Sequence, residues 1–216
     1  MPGRSVLTEP VPSRTIAHMR YLTAGALLVA TLAAPMHAQG MKDGDRQRLL
    51  AHLDMTGAWL ASEVAGLTPD QMTFQMTPES WSIMQVVEHL AIAEPQYWQR
   101  VQDSMKLPPS EKKPEATDAG ILWYGIDRTS RSRTGEARVP NGQFKSLDES
   151  LAAFRKLRST IRDYAATTQE DPRSRMLLEG NMDVYQWLLM ISTHSQRHIL
   201  QIREIKAHAS FPRARG

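Results

Sequence analysis

Two histidines one helical turn apart are the residues of this chain best suited to chemistry. His194 and His198 lie in the apolar run Val184 to Ile205, and His89 lies in a second such run. At an i, i+4 separation, two side chains project from one helix face about 5–6 Å apart, close enough to bind one ion. A buried imidazole needs a hydrogen-bond partner, a lowered pKa or a metal. Ordinary core histidines are the alternative to a three-histidine site for a divalent transition metal.

A site of three imidazoles is neutral and leaves coordination positions of the ion open to water or substrate. Imidazole suits Zn, Ni and Fe alike, so the sequence does not choose the metal. The chain has no cysteine, which excludes disulfides, thiolate ligands and a cysteine nucleophile. Metal-bound water would be the reactive group, and acids or carbonyls should orient the rings. Glu88 and Glu94 are nearby candidates for that role, or else ordinary solvated or capping residues.

Other polar residues carry weaker signals. His52 could face the same interior but has no paired neighbour. Ser82 and Ser192 lack both a nucleophile elbow and a Ser/His/Asp set, so we reject a serine nucleophile. The basic cluster Arg128 to Arg133 has no interleaved aromatic residue. It is either a solvated loop or a contact for an anion or substrate.

The elements that must position the histidines are predicted to be four long helices. Apolar residues recur at three- and four-residue steps, and no convincing strand pattern occurs. Capping boxes open the second helix near Ile83 and the third at Leu147, while Thr68 caps a single turn after the first. The first helix spans about Lys42 to Leu67, and the fourth is the run that carries His194. The predicted fold is therefore an all-α four-helix bundle.

The 39 residues Leu107 to Lys145 connect the second and third helices with four prolines, four glycines and no sustained period. So long a connection needs a reason. If those two helices run parallel, the chain must travel back along a helix of roughly 35 Å. The remainder could form a lid or pocket wall, with Trp123 and Tyr124 as its apolar content, or it could be a plain packed crossover.

Residues 1–40 are predicted to form a signal peptide and leader. Arg20 precedes the short apolar segment Leu22 to Ala34, and Met19 would give the compact start that such a signal needs. The candidate small residues for cleavage are Ala38 and Gly40. A buried core helix and an uncleaved anchor are the alternatives, although the segment is short for a membrane span. We expect an exported protein, periplasmic or secreted, without stable membrane insertion after cleavage.

The rest of the chain is predicted to be one bundle domain over residues 41–210 and a disordered tail over 211–216. With 41% hydrophobic and 23% charged residues, the composition is that of an ordinary globular domain. Removing residues 1–38 takes away three arginines and one glutamate, so the formal charge falls from +3 to +1. Such a chain has no electrostatic reason to bind nucleic acid. A monomer and a homodimer are both consistent with the sequence.

Several motifs together resemble the DinB-like superfamily. They are Trp81-Ser82, Glu88-His89-Leu90, Glu94 and, on the last helix, His194-Ser195-Gln196-Arg197-His198. The resemblance covers about Met41 to His208. It implies a four-helix bundle of up-down-down-up order, with His89, His194 and His198 as the metal triad.

Members of the superfamily include thiol-dependent transferases and isomerases and proteins suspected of metal-dependent hydrolysis. We therefore expect a metal-dependent hydrolase that acts on a small-molecule substrate through an open three-histidine site. A thiol S-transferase is the second hypothesis, in which the ion lowers the pKa of a thiol. A non-catalytic helical module whose metal is structural is the third, and it predicts a fourth protein ligand.

Overall fold

The structure is a computed structural model and describes residues 40–130, 133–178 and 180–213 of the 216-residue chain. The predicted leader lies outside these residues. The described ranges contain six α-helices: α1 (Asp43–Val64), α2 (Pro69–Thr73), α3 (Ile83–Met105), α4 (Asp118–Ile126), α5 (Leu147–Thr167) and α6 (Val184–Lys206). Helices α1, α3, α5 and α6 are the long helices expected from the apolar periodicity, and they form an all-α four-helix bundle.

Side-chain caps determine where several helices begin. The Ser82 hydroxyl accepts the Gln85 N–H at 3.3 Å, and the Gln85 side chain accepts the Ser82 N–H at 2.9 Å, so the box predicted for α3 is complete. Asp183 and Gln186 form an equivalent box at the start of α6, which the sequence reading missed. The hydroxyl of Ser146 caps α5 as expected.

Two clusters of buried apolar side chains show the direction of each long helix. One cluster joins the C-terminal halves of α1 and α6 to the N-terminal halves of α3 and α5; it includes Leu60, Val64, Ile83, Val86, Leu90, Leu151, Phe154, Ile199 and Ile202. The other joins the opposite halves; it includes Leu49, Leu53, Val101, Ile161, Ala165, Val184, Leu188 and Ile191. Helices α1 and α6 therefore point one way and α3 and α5 the other, which is the up-down-down-up order.

The helix order accounts for the long connection between α3 and α5. Because these two helices run parallel, the chain must return along the bundle before α5 can begin. Helix α4 lies within this connection and packs against α6. A side chain at Gly125 would meet Thr193 and Gln196 atoms at 3.0 Å, so glycine permits the close approach of the two helices.

Helix α4 was not expected from the sequence. Nine residues make only two and a half turns, too few to reveal a 3.6-residue period. Its start does carry a local signal, because the Thr117 hydroxyl accepts the Gly120 N–H at 3.1 Å. Trp123, expected among the apolar content of the connection, is 64% exposed.

A buried polar cluster crosses the middle of the bundle. The Arg158 guanidinium of α5 donates to the Glu94 carboxylate of α3 and to the Ser195 hydroxyl of α6, both at 2.7 Å. The Ser195 hydroxyl also donates to Glu94, and the side chain of Glu94 is fully buried. Burial raises the pKa of Glu94, while the Arg158 charge acts against that rise. Arg158 also donates to the Thr56 hydroxyl of α1 at 3.4 Å, so polar contacts link all four long helices.

The predicted C-terminal tail begins in contact with the bundle. The Phe211 ring meets the Phe74 ring edge-on with centroids 5.6 Å apart, and the Pro212 carbonyl accepts a hydrogen bond from the Gln71 side chain at 2.9 Å. Residues 214–216 lie outside the described ranges. No helix within those ranges is long and apolar enough to cross a membrane.

Candidate metal centre

The three predicted ligands lie together on two neighbouring helices. His89 comes from α3, and His194 and His198 come from α6. The His194 Nε2 atom is 3.3 Å from the Nε2 of His89 and 3.2 Å from the Nε2 of His198. One nitrogen from each ring falls within a group whose members are all within 4.8 Å of one another. The spacing therefore suits a shared ion.

The separations match the chemistry of imidazole ligands. Zinc binds histidine nitrogen at about 2.0–2.1 Å, and a tetrahedral arrangement then separates two ligand nitrogens by about 3.3 Å. Both measured contacts to the His194 nitrogen are close to that value. The three residues therefore fit a small divalent cation without a large rearrangement of their rings.

Hydrogen bonds at the far nitrogens orient two of the rings. The His89 Nδ1 donates to the Arg138 carbonyl at 2.6 Å, and the His198 Nδ1 donates to the Gln201 amide oxygen at 2.9 Å. In each neutral ring the proton is then on Nδ1, and the Nε2 lone pair faces the cluster. Arg138 thus supplies an orienting carbonyl oxygen, and Gln201 supplies an orienting amide oxygen. Acids or carbonyls were expected in this role from the sequence.

The third ring leaves hydrogen-bonding capacity unused. His194 is buried, and its Nδ1 has no hydrogen-bond partner. Its Nε2 faces two other nitrogens, and one proton cannot serve both contacts. A cation between the rings would accept these converging lone pairs, which is the chemical reason to assign the cluster to a metal.

Burial also keeps the rings in the form that binds metal. Loss of hydration lowers the pKa of His89, and it lowers the pKa of His194 far below the usual range. The pKa of His198 falls to about 3, again mainly because of burial. The neutral imidazole is the metal ligand, so all three rings are ready to coordinate at neutral pH.

The cluster borders a cavity of about 540 Å³. Helices α3, α4 and α6, the α3–α5 connection and the segment before α3 all contribute to its wall. Trp81 stands beside the site, with its ring centroid 4.9 Å from that of His89. Besides the histidines, the lining includes Met76, Trp81, Tyr97, Tyr124, Arg128, Arg133, Arg138, Arg197, Gln201 and Glu204. The α3–α5 connection is thus both packed against the bundle and part of the pocket wall.

The two candidate glutamates contact other groups. The Glu88 carboxylate accepts the backbone N–H groups of Asn141 and Gln143 at 3.3 and 2.7 Å. It therefore ties the α3–α5 connection to α3 one residue before His89. Glu94 hydrogen-bonds with Arg158 and Ser195 in the bundle core. A role for Glu94 in orienting a histidine stays a prediction.

The other polar candidates lie elsewhere. The His52 Nδ1 is 2.7 Å from the Ser192 hydroxyl, in the bundle core. Ser82 is the cap of α3. Arg128, from the basic cluster, lines the cavity and pairs with Glu204 at 2.9 Å, and Arg133 also lines the cavity. Residues 131 and 132 lie outside the described ranges.

The histidine triad and the up-down-down-up bundle together lead to a comparison with known families. The model of the DinB superfamily matches residues 52–202 of this chain. The chain therefore belongs to the DinB superfamily. The matched range holds all three histidines.

Two individual proteins resemble the chain. The uncharacterized protein YuaE of Bacillus subtilis (strain 168) is 26% identical over 152 residues, which cover 67% of this chain and 89% of YuaE. The solved structure of YfiT from Bacillus subtilis aligns with a TM-score of 0.54 and 18% identity, covering 78% of this chain and 89% of YfiT. YfiT is described as a probable metal-dependent hydrolase with an unusual four-helix bundle topology. At that identity the likeness establishes the fold.

Proposed function

We propose that this protein is a metal-dependent hydrolase that binds a divalent transition metal through His89, His194 and His198. The observation that carries the proposal is the convergence of three neutral imidazoles at the wall of a cavity. Three histidines leave coordination positions free, whereas structural sites are usually closed by four protein ligands. The description of YfiT as a probable metal-dependent hydrolase supports the same reaction class.

The protein would hold the histidine rings in position around the ion and surround them with apolar side chains. Once bound, a divalent metal lowers the pKa of water and polarises an electrophilic centre, which is the chemistry of metal-assisted hydrolysis. The Arg138 carbonyl and the Gln201 amide hold two of the rings in place. Trp81 and Tyr97 form apolar walls against the histidines. A small molecule fits the 540 Å³ volume.

The experiment is metal analysis combined with turnover of a panel of activated esters and amides. Purified wild-type protein should carry about one equivalent of metal, and His198→Ala should lose both the metal and at least about 100-fold of the turnover. Circular dichroism should show that the fold survives. The matched control is His208→Ala, since His208 is exposed and lies outside the cluster.

Undiminished turnover in His198→Ala would overturn the proposal. Conjugation of a small thiol to the electrophile, without hydrolysis, would instead favour a thiol S-transferase. A protein that binds metal but turns over no member of the panel would favour a structural role for the ion.

We also propose that the chain is exported to the periplasm or secreted. The support is the sequence of residues 1–40, in which Arg20 precedes a short apolar segment and small residues follow. Expression of the full chain in a Gram-negative host, with fractionation and N-terminal sequencing of the product, tests this. A cleaved N-terminus near residue 38 or 40 is expected. Retention of the intact chain in the cytoplasm would contradict the proposal and strengthen the thiol transferase hypothesis.

A further inference from the structure

Arg138, in the cavity wall, has no anionic partner among the residues that the structure describes. Arg138 lies in the α3–α5 connection and lines the cavity. Its Nε atom is buried without a hydrogen-bond partner, and no carboxylate or hydroxyl of the described residues pairs with its side chain. The guanidinium carbon instead lies over the Tyr97 ring, 5.6 Å from its centroid.

Two other arginines of the cavity wall are satisfied by the protein. Arg128 forms two hydrogen bonds of 2.9 Å with the Glu204 carboxylate. Arg197 donates to the backbone carbonyls of Tyr124, Asp127 and Ser130, and so holds the end of α4. A buried donor without an acceptor is costly. Arg138, unlike Arg128 and Arg197, therefore has a reason to bind a ligand that supplies an acceptor.

The position of Arg138 relative to the histidines is determined by several contacts. Its carbonyl accepts the His89 proton. The preceding residue is anchored to α3, because the Gln96 side chain donates to the Ala137 carbonyl at 3.1 Å. The Tyr97 ring contacts both sides, 5.6 Å from the guanidinium carbon and with its centroid 5.1 Å from that of His194. Arg138 and the three histidines line one cavity, so a group bound by Arg138 would share that cavity with the metal centre.

The charge of the cavity favours an anion. The described lining residues include four arginines and two glutamates, and one of those glutamates, Glu204, pairs with Arg128. The three histidines are neutral, so a bound divalent cation would add further positive charge. Guanidinium groups bind carboxylate and phosphate through paired N–H donors, and such charge-assisted bonds are the strong ones.

We propose that Arg138 is an anion-binding residue and that the substrate of this site carries a carboxylate or phosphate group, with Arg133 as an additional positive charge at the exposed rim. That the anion belongs to a substrate rests on the proposed hydrolase function. Anion binding by Arg138 does not rest on it, because no metal takes part in that binding.

The experiment measures anion binding to metal-free protein. Inorganic phosphate and acetate are titrated separately by calorimetry at constant ionic strength, with chloride as the balancing anion. Arg138→Gln should weaken binding of the preferred anion about 10–100-fold, as expected for the loss of charge-assisted hydrogen bonds. Arg138→Lys should retain part of the affinity, since the charge remains. The control is Arg155→Gln, an exposed arginine of α5 outside the cavity, and it should bind like the wild type.

The stronger of the two anions identifies the group that the substrate carries. Wild-type protein that binds neither anion would overturn the inference, and so would Arg138→Gln binding as tightly as the wild type. Each variant must first match the wild type in circular dichroism and in metal content after reloading.

A second measurement connects the anion to turnover. The metal-loaded protein is assayed with a neutral nitrophenyl ester and with one bearing a carboxylate or phosphate. Arg138→Gln should lower kcat/KM about 10–100-fold for the charged ester and leave the neutral ester nearly unchanged. An equal loss for both esters would show a merely structural role. If neither ester is hydrolysed, the hydrolase proposal fails while the binding result still decides the role of Arg138.

Discussion

The histidine cluster and the Glu94–Arg158 cluster are two buried polar regions of one bundle, and they solve the problem of burial in different ways. They share α3 and α6, and Ser195 directly follows His194. In the Glu94 cluster, opposite charges and a hydroxyl pair with one another. In the histidine cluster, like nitrogens converge and carry no opposite charges. Each cluster leaves buried atoms without a hydrogen-bond partner among the described residues: Glu94 Oε2 and Arg158 Nε in one, His194 Nδ1 in the other.

Buried polar clusters differ in whether their groups attract or repel one another. Opposite charges attract one another, so the Glu94 cluster holds its helices in register without an added ion. Lone pairs that face each other repel, so the histidine cluster has a reason to bind a cation. The cavity beside the histidines then gives that cation access to a small molecule.

The largest effect on stability should follow from breaking the Glu94 cluster. Glu94→Leu leaves the Arg158 charge buried without its carboxylate and should lower the free energy of unfolding by about 3–5 kcal/mol. Urea denaturation measures the loss. The double variant Glu94→Leu with Arg158→Met should recover most of it. Metal content, measured in both variants, tests whether Glu94 also orients a histidine. Loss of metal from folded Glu94→Leu protein would show that the two clusters act as one.

A smaller effect, on metal affinity, should follow from removing the hydrogen bond that orients one histidine ring. Gln201→Leu removes the acceptor of the His198 Nδ1 proton and should weaken metal affinity about 10–100-fold, as is typical when an orienting partner is lost. Competition with a chelator measures the affinity. Gln99→Leu, on the exposed face of α3, serves as the control and should leave the affinity unchanged. Equal affinities in both variants would remove Gln201 from the site.

The smallest effect concerns the stability of the protein at acidic pH. The folded pKa of His198 lies near 3 and the ordinary value is 6.5, so between these values the unfolded chain binds a proton that the folded chain excludes. Stability of the metal-free protein should therefore fall as pH drops below 6.5. From pH 7 to 5, His198→Phe should reduce that fall by about 1–2 kcal/mol, measured by urea denaturation at each pH. Identical pH profiles would show that this ring titrates normally when folded.

Local spacing was sufficient to predict that His89, His194 and His198 face one interior. The i, i+4 pair and His89 each interrupt an apolar stripe, and a stripe faces the core wherever its helix packs. The caps at Ser82 and Ser146 were equally local signals. Gln201 could also have been found, because it is three residues after His198 on the same helix face.

The contacts that the α3–α5 connection makes with the site depend on residues far apart in the sequence. Arg138 reaches His89 across 49 positions, and no periodicity indicates where an irregular segment will lie. Glu88 was considered as a partner of a ring, but its carboxylate binds backbone N–H groups of the connection. Such contacts follow from the up-down-down-up path, which the sequence suggested only through the family resemblance.

Because α3 and α5 run parallel, the site is built partly from long helices and partly from the segment that connects α3 to α5. The rigid helices hold the nitrogens, while Tyr124, Arg128 and Arg138 all come from the returning segment between those helices. Exchange of that segment between related proteins would therefore alter which molecules enter the cavity, without any change in the three histidines.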